Sequence, residues 1–268
     1  MGGGASGAPA PPVARFLLMN SDALLGEMRA SGVEAWFRAE DAAVLCALND
    51  YQQSLGVTGD LLEIGCYHGA SAILLGTFTA GHEQLVVCDL FGEAPSSDQH
   101  FSSDASFRST FEANYLRFHD ALPTIIAEPS TSLSSSELGR RFRMIHIDGA
   151  HDYASVRNDL LLAKELLIPG GMVIFDDIIS LHTPGVSGAV WEGVVNDGLL
   201  PLFQTRKLYA TWDPDVAPPI PAGFSAGFHE VLGHPMNHLI RDEPPRSRRY
   251  QMATSLDRAA RRLAKRIT

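Results

Sequence analysis

The chain has 268 residues, 45% of them hydrophobic, and carries a formal net charge of −10. This length and composition provide the core of one large α/β domain with appendages. The acidic charge argues against a general nucleic-acid binder, and no apolar run reaches membrane-spanning length. We therefore expect neither nucleic acid nor a membrane as a partner.

The N-terminal region is predicted to lie outside the main domain. Residues 1–12, mostly Gly, Ala and Pro, are expected to form a disordered leader and have no secretory signal pattern. Three cysteines without paired spacing indicate a reducing, cytoplasmic location. Residues 13–57 are predicted to form helices that cover a sheet edge, shape a substrate pocket or mediate a homo-oligomer, and the sequence does not decide among these.

A glycine turn follows the first predicted strand at residues 60–65. Gly65 and Gly69 let the backbone approach a ligand where a Cβ would intrude. The helix behind them, residues 70–78, offers free N–H groups and a partial positive charge. Glu63, near the end of the strand, can accept hydrogen bonds from a ligand's hydroxyls or ammonium group.

The second predicted strand, residues 85–89, also ends in an acid. Asp89 stands about twenty residues after the glycine turn, the spacing at which nucleotide-binding α/β folds hold a ribose diol. The alternative is an ordinary strand-end turn residue. The Ser- and Asp-rich segment 92–104 is predicted to be a lid loop. A helix at 106–118 and a third strand at 124–127 follow.

Residues 143–178 are predicted to form a strand, a helix and a second strand. Two strands joined through a helix are parallel, so the acids that follow them meet at one edge of the sheet. These acids are Asp148, Asp176 and Asp177, and their convergence is costly unless a cation or hydrogen-bond donors offset it. A hard divalent ion such as Mg²⁺ prefers such oxygen ligands. The alternative is that they are strand-end and helix-cap acids.

His151 comes three residues after Asp148 and is expected to face the same pocket. Because an imidazole changes charge near neutral pH, His151 is suited to act as a general base. The alternative is a loop histidine that bonds to backbone, with Asp152 capping the following helix.

The C-terminal part of the chain is predicted to complete the sheet. A loop at 182–188, a helix at 189–199 and two strands, at 202–212 and 227–232, follow the acidic edge. Residues 235–268 are predicted to be a basic tail, helical from Ala253. This tail is expected to be a solvated helix, a self-association element or a contact for an acidic partner.

Three segments together resemble a known family. They are residues 63–71, which include the glycine turn, the IDGAHDY segment at 147–153 and Phe175-Asp176-Asp177, with Asp89 between the first two. They resemble class I S-adenosylmethionine-dependent methyltransferases, and among these the metal-dependent natural-product O-methyltransferases of the macrocin, mycinamicin and novobiocic acid type. The resemblance covers about residues 58–234.

The resemblance implies a Rossmann-like, doubly wound, mostly parallel seven-stranded sheet with an N-terminal helical extension and a C-terminal helical tail. It implies that Mg²⁺ or Mn²⁺ is bound by Asp148, Asp176 and Asp177, with His151 as the base. It also implies S-adenosylmethionine as cofactor, with the methionine part at the glycine turn, the ribose at Asp89 and the adenine near Ser130. The implied cofactor-binding residues are Glu63, Gly65, Tyr67, Gly69, Ser71, Asp89, Ser130 and Asp148.

The function expected from this resemblance is Mg²⁺-dependent methylation of a hydroxyl on a small molecule, such as a sugar in antibiotic biosynthesis. Two alternatives remain at this point. One is a hydroxylase component that works with an oxidative partner, and the other is a cofactor-binding scaffold that transfers nothing.

Overall fold

The structure is a computed structural model that describes residues 21–34, 36–92, 106–138 and 142–242. The predicted leader, the predicted lid beyond Gly92 and the predicted basic helix from Ala253 lie outside these ranges. None of the helices in the described ranges combines the length and apolarity needed to cross a bilayer.

Five parallel strands form the centre of the molecule in the order β3-β2-β1-β4-β5. The apolar runs of all but β3, at the edge, are buried because helices cover both faces of the sheet. The strand order reverses between β1 and β4, which is where ligands bind in open α/β sheets. The five strands are β1 (Asp60–Ile64), β2 (Leu85–Cys88), β3 (Thr124–Ile126), β4 (Phe142–Ile147) and β5 (Leu167–Phe175).

The helices divide between the two faces of the sheet. Helices α1 (Ser21–Ala30), α2 (Ala39–Ser54), α3 (Ala70–Phe78) and α4 (Ser106–Tyr115) contribute to one apolar core. The N-terminal helices α1 and α2 thus cover a face of the sheet. The other core contains side chains of α5 (Ser135–Leu138), α6 (Tyr153–Leu166) and α7 (Pro184–Asn196).

The predicted strand–helix–strand unit is confirmed in outline. β4 and β5 pair in parallel, with Ile147 opposite Phe175, and Asp152 caps α6 by accepting from the N–H of Ser155. The start of α7 differs from the prediction, because α7 begins at Pro184, and proline suits the first turn of a helix. Pro169-Gly170-Gly171 lies inside β5, where Gly170 has a φ of 77°.

The sheet has nine strands in the described part of the chain, not the seven predicted. Residues 202–212, predicted to be one strand, lie largely in two, β6 (Leu200–Gln204) and β7 (Leu208–Thr211), because the chain reverses between them. The last predicted strand is part of β8 (Phe224–Val231), which pairs with β9 (His234–Arg241).

A tight turn after β8 reverses the chain, so that β9 pairs with β8. Leu232 and Gly233 have φ values of 53° and 80°, and two consecutive positive φ values match the twist of a hairpin. The sheet therefore continues to Arg241, beyond the domain boundary predicted at residue 234. Sequence patterns did not predict β9, because its partner β8 is mostly exposed and its own sequence, HPMNHLIR, lacks regular alternation.

Candidate active site

The predicted acidic residues meet at the carboxyl ends of β4 and β5. The N–H of Asp148 donates to the carbonyl of Ile64 at 2.7 Å, and the N–H of Asp176 donates to the carbonyl of Ile147 at 3.0 Å. These bonds continue the ladders by one residue, so the two carboxyl groups lie side by side and share a hydrogen bond. Asp177 follows with a φ of 56° at the turn that leaves the sheet.

A buried lysine, Lys207, lies against these acids, although no sequence pattern indicated it. The antiparallel pairing of β5 and β7 ends at Phe175 and Leu208, so the next residues, Asp176 and Lys207, lie at the same end of the two strands. Its ammonium group donates to Oδ2 of Asp176 and lies 3.2 Å from Nε2 of His146. The side chain is 2% exposed, and the ammonium lies 5.7 Å from the centre of the Phe37 ring.

These contacts shift the pKa values of the group strongly. Burial and the Asp176 carboxylate raise the pKa of Asp148 well above its ordinary value. Burial alone would also raise the pKa of Asp176, but Lys207 and His146 hold it below its usual range. Burial would lower the pKa of Lys207, yet Asp176, Asp148 and Asp41 raise it. Lys207 is therefore an ammonium ion paired with an ionised Asp176, and burial beside Asp176 disfavours the charged form of Asp148.

Glu63 and His146 are further polar residues that lie next to this acidic group, inside the sheet. Nδ1 of His146 lies 2.8 Å from Oε1 of Glu63, and neither side chain is exposed. Oε2 of Glu63 has no hydrogen-bond partner among the residues that the structure describes. A buried carboxylate oxygen without a donor is costly, so a ligand with a donor group would fit at this position.

His151 lies in the loop between β4 and α6. Its Nε2 is 3.4 Å from Oδ2 of Asp177, with side-chain exposures of 18% and 34%. Ligand atoms of Asp148, His151 and Asp177 all lie within 4.8 Å of one another. The helix α7 packs closely on this loop, since a Cβ at Gly185 would lie 2.5 Å from the carbonyl oxygen of His151.

The glycine turn after β1 packs closely against neighbouring parts of the protein. Gly65 has a φ of 81°, and a Cβ there would lie 2.1 Å from the carbonyl oxygen of Asp148. Gly69 has a φ of 92° and precedes α3, whose first turn contains the buried Ser71. The turn therefore brings the start of α3 close to the end of β4.

Asp89 supports this turn from the end of β2. Its Oδ2 accepts from the backbone N–H groups of Cys66 and Tyr67 at 2.6 and 3.2 Å. Its Oδ1 accepts from the N–H of Phe91 at 2.7 Å. The structure thus gives Asp89 the turn-stabilising contacts of the alternative interpretation, while the carboxylate remains partly exposed at the strand end.

Tyr67 stands at the rim of the turn with a φ of 49°. Its ring stacks between Trp36 and His68, at centroid distances of 5.2 and 3.7 Å. Its hydroxyl donates to Glu34 at 3.3 Å. Residues before α2 thus approach the predicted cofactor site.

Ser130 begins a short 3₁₀ turn, Ser130–Ser132, after β3. Its side chain bonds to Asp159 of α6, a carboxyl group that is fully buried. Burial raises the pKa of Asp159 to about 6, and its Oδ2 lacks a hydrogen-bond partner within the described ranges. Sequence patterns did not single out Asp159 because it looked like one acid among others on a helix.

A cavity of about 540 Å³ lies between the start of α2, the β6–β7 turn and β9, and it reaches the segment that follows the acidic edge at Ile179. Arg38 and Arg206 contribute guanidinium groups to its wall, and Ile179 and Leu239 contribute apolar surface. Arg206 also lies close enough to Asp177 to lower the pKa of that carboxyl, although burial and Asp176 raise it overall. The volume of the cavity is typical of a small-molecule site.

Comparison with known proteins agrees with this arrangement. Residues 62–178 match the model of a family described as a methyltransferase domain. The structure resembles the O-methyltransferase NovP, with 18% identity, 65% of this chain and 80% of that chain covered, and a TM-score of 0.51. It also resembles cofactor-bound Rv0187 from MTB, with 18% identity, coverage of 77% and 100%, and a TM-score of 0.52. No curated protein matches the sequence.

Residues 62–178 are thus similar to a methyltransferase domain, and the structure has the Rossmann-like fold that was predicted. The predicted resemblance to O-methyltransferases is confirmed at the level of the fold.

Proposed function

We propose that this protein transfers the methyl group of S-adenosylmethionine to a hydroxyl oxygen of a small molecule. The observation that carries the proposal is the convergence of the glycine turn, the acidic edge and His151 within a methyltransferase domain. The acceptor oxygen bonds to the methyl carbon as the sulfur–carbon bond breaks, which leaves S-adenosylhomocysteine. The hydroxyl proton passes to Nε2 of His151.

The cofactor side of the site uses the residues around the glycine turn. The unpartnered Oε2 of Glu63 fits a ligand ammonium group, and the backbone N–H groups before α3 suit a carboxylate. We assign the ribose to Asp89 and the adenine to the neighbourhood of Ser130. The full proposed set is Glu63, Gly65, Tyr67, Gly69, Ser71, Asp89, Ser130 and Asp148.

The acidic edge fits a divalent cation in part. Asp148 and Asp177 are partly exposed and within reach of one another, and Mg²⁺ is commonly held by one or two carboxylates. Asp176, the third predicted ligand, already accepts from Lys207 and from the N–H of Asp177. A bound cation would polarise the acceptor oxygen and lower the pKa of its hydroxyl. His151, beside Asp177, is placed to take the proton.

The cavity between α2, the β6–β7 turn and β9 is the proposed acceptor site. Its volume of about 540 Å³ admits a sugar or another hydroxylated metabolite. Arg38 and Arg206 can donate hydrogen bonds to ring oxygens, hydroxyls or an anionic substituent of the acceptor. The resemblance to natural-product enzymes favours a sugar of a secondary metabolite, made in the cytoplasm, as in antibiotic biosynthesis.

The test is to incubate the purified protein with deuteromethyl-labelled cofactor and the metabolites of its own producing cell. Mass spectrometry should then find a product that has gained one labelled methyl group. Excess chelator should abolish the gain, and Mg²⁺ or Mn²⁺ should restore it. Absence of label in any acceptor, with cofactor binding intact by calorimetry, would leave a scaffold or a partner-dependent component as the function.

A further inference from the structure

The acidic edge is neutralised from within the fold. His146, Asp148 and Asp176 form an inner group whose ligand atoms lie within 4.8 Å of one another. The ammonium of Lys207 contacts Asp176 directly and lies 3.2 Å from His146. A cation is therefore already present at the carboxylate around which the sequence predicted a metal.

The surroundings of Lys207 fix this cation in place. The side chain is 2% exposed, and removing an ammonium ion from water is costly unless partners offset the loss. The β6–β7 turn supplies further anchoring, because the N–H of Lys207 donates to Oγ1 of Thr205 at 3.2 Å. The hydroxyl of Thr205 in turn donates to the buried Asp41 at 3.1 Å, so the same turn also holds the carboxylate of Asp41.

We propose that Lys207 is the resident cation of the inner group, and that it leaves only the outer carboxylates, Asp148 and Asp177, to a divalent ion. An ammonium and a dication repel each other strongly at close range in a buried site. This repulsion disfavours holding both cations at Asp176. The side chain of Lys207 thus supplies part of the charge compensation that a metal ion would otherwise supply. The inference uses the same acidic edge as the proposed function but does not require methyl transfer to occur.

The first test compares two isosteric changes by calorimetric titration with Mn²⁺ alone. Asp177→Asn should weaken Mn²⁺ binding by at least about tenfold, the scale of losses around metal sites. Asp176→Asn should leave the affinity within about threefold of the unchanged protein, because Asp176 belongs to Lys207. Equal losses in the two variants would overturn the proposal.

The second test removes the ammonium. Lys207→Met keeps the length of the side chain and should allow the inner group to take up an additional Mn²⁺ ion. With Co²⁺ as probe, the absorption spectrum should report a nitrogen ligand from His146. The double variant Lys207→Met/Asp176→Asn should lose the new site, and Lys164→Met, which removes an exposed lysine that bonds to the carbonyl of Asp197, should not create one.

Each outcome of the second test either supports or contradicts the proposal. A folded Lys207→Met protein that binds no additional ion contradicts the proposal, even when the unchanged protein binds no Mn²⁺ at all. If Lys207→Met does not fold alone, Mn²⁺ should restore a cooperative unfolding transition, because the ion replaces the missing charge. Failure of Mn²⁺ to do so also contradicts it. None of these readouts depends on methyl transfer, so failure of the proposed function remains distinguishable.

Discussion

Asp89 combines two roles at the scale of a single residue. Its carboxylate accepts from three backbone N–H groups, two of them in the glycine turn, while it stands at ribose-binding spacing. Asp89→Ala should weaken S-adenosylmethionine binding about tenfold to a hundredfold, the loss of one charged acceptor. It should also lower the free energy of unfolding by about 1–3 kcal/mol, because the turn loses its acceptor.

Calorimetry and thermal unfolding measure the two effects of Asp89→Ala separately. Asp89→Asn is the matched control, since it keeps an oxygen acceptor but no charge. Its free energy of unfolding should stay close to that of the unchanged protein, while its affinity for the cofactor should fall. Unchanged cofactor affinity in the alanine variant would remove Asp89 from the cofactor site and leave it as a turn residue only.

His151 carries the proposed proton transfer. His151→Ala should bind cofactor and metal as before, because Mg²⁺ prefers the carboxylate oxygens. Its turnover should fall by on the order of a hundredfold to ten-thousandfold, the usual contribution of a general base. Part of the loss should return at high pH, where the acceptor hydroxyl ionises more readily. Full activity in the variant would instead point to Asp152 or His182 as the proton acceptor.

Asp159 makes the stability of the fold depend on pH. Its carboxyl group is fully buried, and burial raises its pKa from the ordinary value of 3.8 to about 6. Since the folded state binds the proton more tightly than the unfolded state, stability is greatest below about pH 4 for this group. It declines as the pH rises through 6, by roughly 3 kcal/mol in total.

Asp159→Asn tests this dependence because the amide stays neutral at every pH. The difference in melting temperature, variant minus unchanged protein, should increase between pH 4.5 and pH 7.5. A constant difference over this range would show that Asp159 is ionised at little cost in the folded state.

Sequence reasoning found the residues that strand ends bring together and missed those that depend on pairing. Asp148 and Asp176 follow apolar runs, so their position at the edge was predictable. Lys207 depends on the antiparallel register of β7 with β5, which no local pattern encodes. His146 left a weak signal, a polar residue inside the buried run of β4.

The turn after β1 is the element on which the site geometry depends. A Cβ at Gly65 would meet backbone atoms of Asp148, the nearest at 2.1 Å, and its φ of 81° is unfavourable for other residues. Backbone cannot move aside as a flexible side chain can. The turn is therefore expected to tolerate no residue other than glycine at this position.

Gly65→Ala should displace β1 from β4, lower stability by more than about 4 kcal/mol, and abolish cofactor binding. Gly81→Ala is the matched control, because Gly81 has a φ of 60° but nothing within 4 Å of an added Cβ. That control should lose only about 1–2 kcal/mol, the cost of the backbone conformation. Similar melting temperatures for the two variants would contradict the close-contact argument.

At the scale of elements, the parallel strands were predictable because each is a short apolar run that ends before an acid or a glycine. The hairpin of β8 and β9 was not, since its edge strand is exposed and its partner begins with His-Pro. Its placement depends on burial of a few side chains against distant elements. Met236 and Leu239 of β9 enter the cores on opposite faces of the sheet.

The hairpin of β8 and β9 connects the two ends of the described chain. β9 pairs with β6 as well as β8, and the guanidinium of Arg241 lies 2.7 Å from Asp22 of α1. The C-terminal end of the sheet is thus joined to the N-terminal helix. The hairpin is therefore expected to be part of the folding unit, although the sequence placed β9 in a tail.

A chain ending at residue 242 should unfold at nearly the temperature of the full chain, because it keeps all nine strands and both cores that the structure describes. A chain ending at residue 222 would lose the burial of Phe224, Met236 and Leu239. At about 1.5–3 kcal/mol for each side chain, the loss is roughly 5–9 kcal/mol, comparable to the whole stability of a domain. It would also expose β6 as a new edge, which favours aggregation. Circular dichroism and size-exclusion chromatography should therefore find the shorter chain unfolded or aggregated. A monomeric 222-residue chain with an unaltered melting temperature would instead make the hairpin an accessory to a sheet that is complete without it.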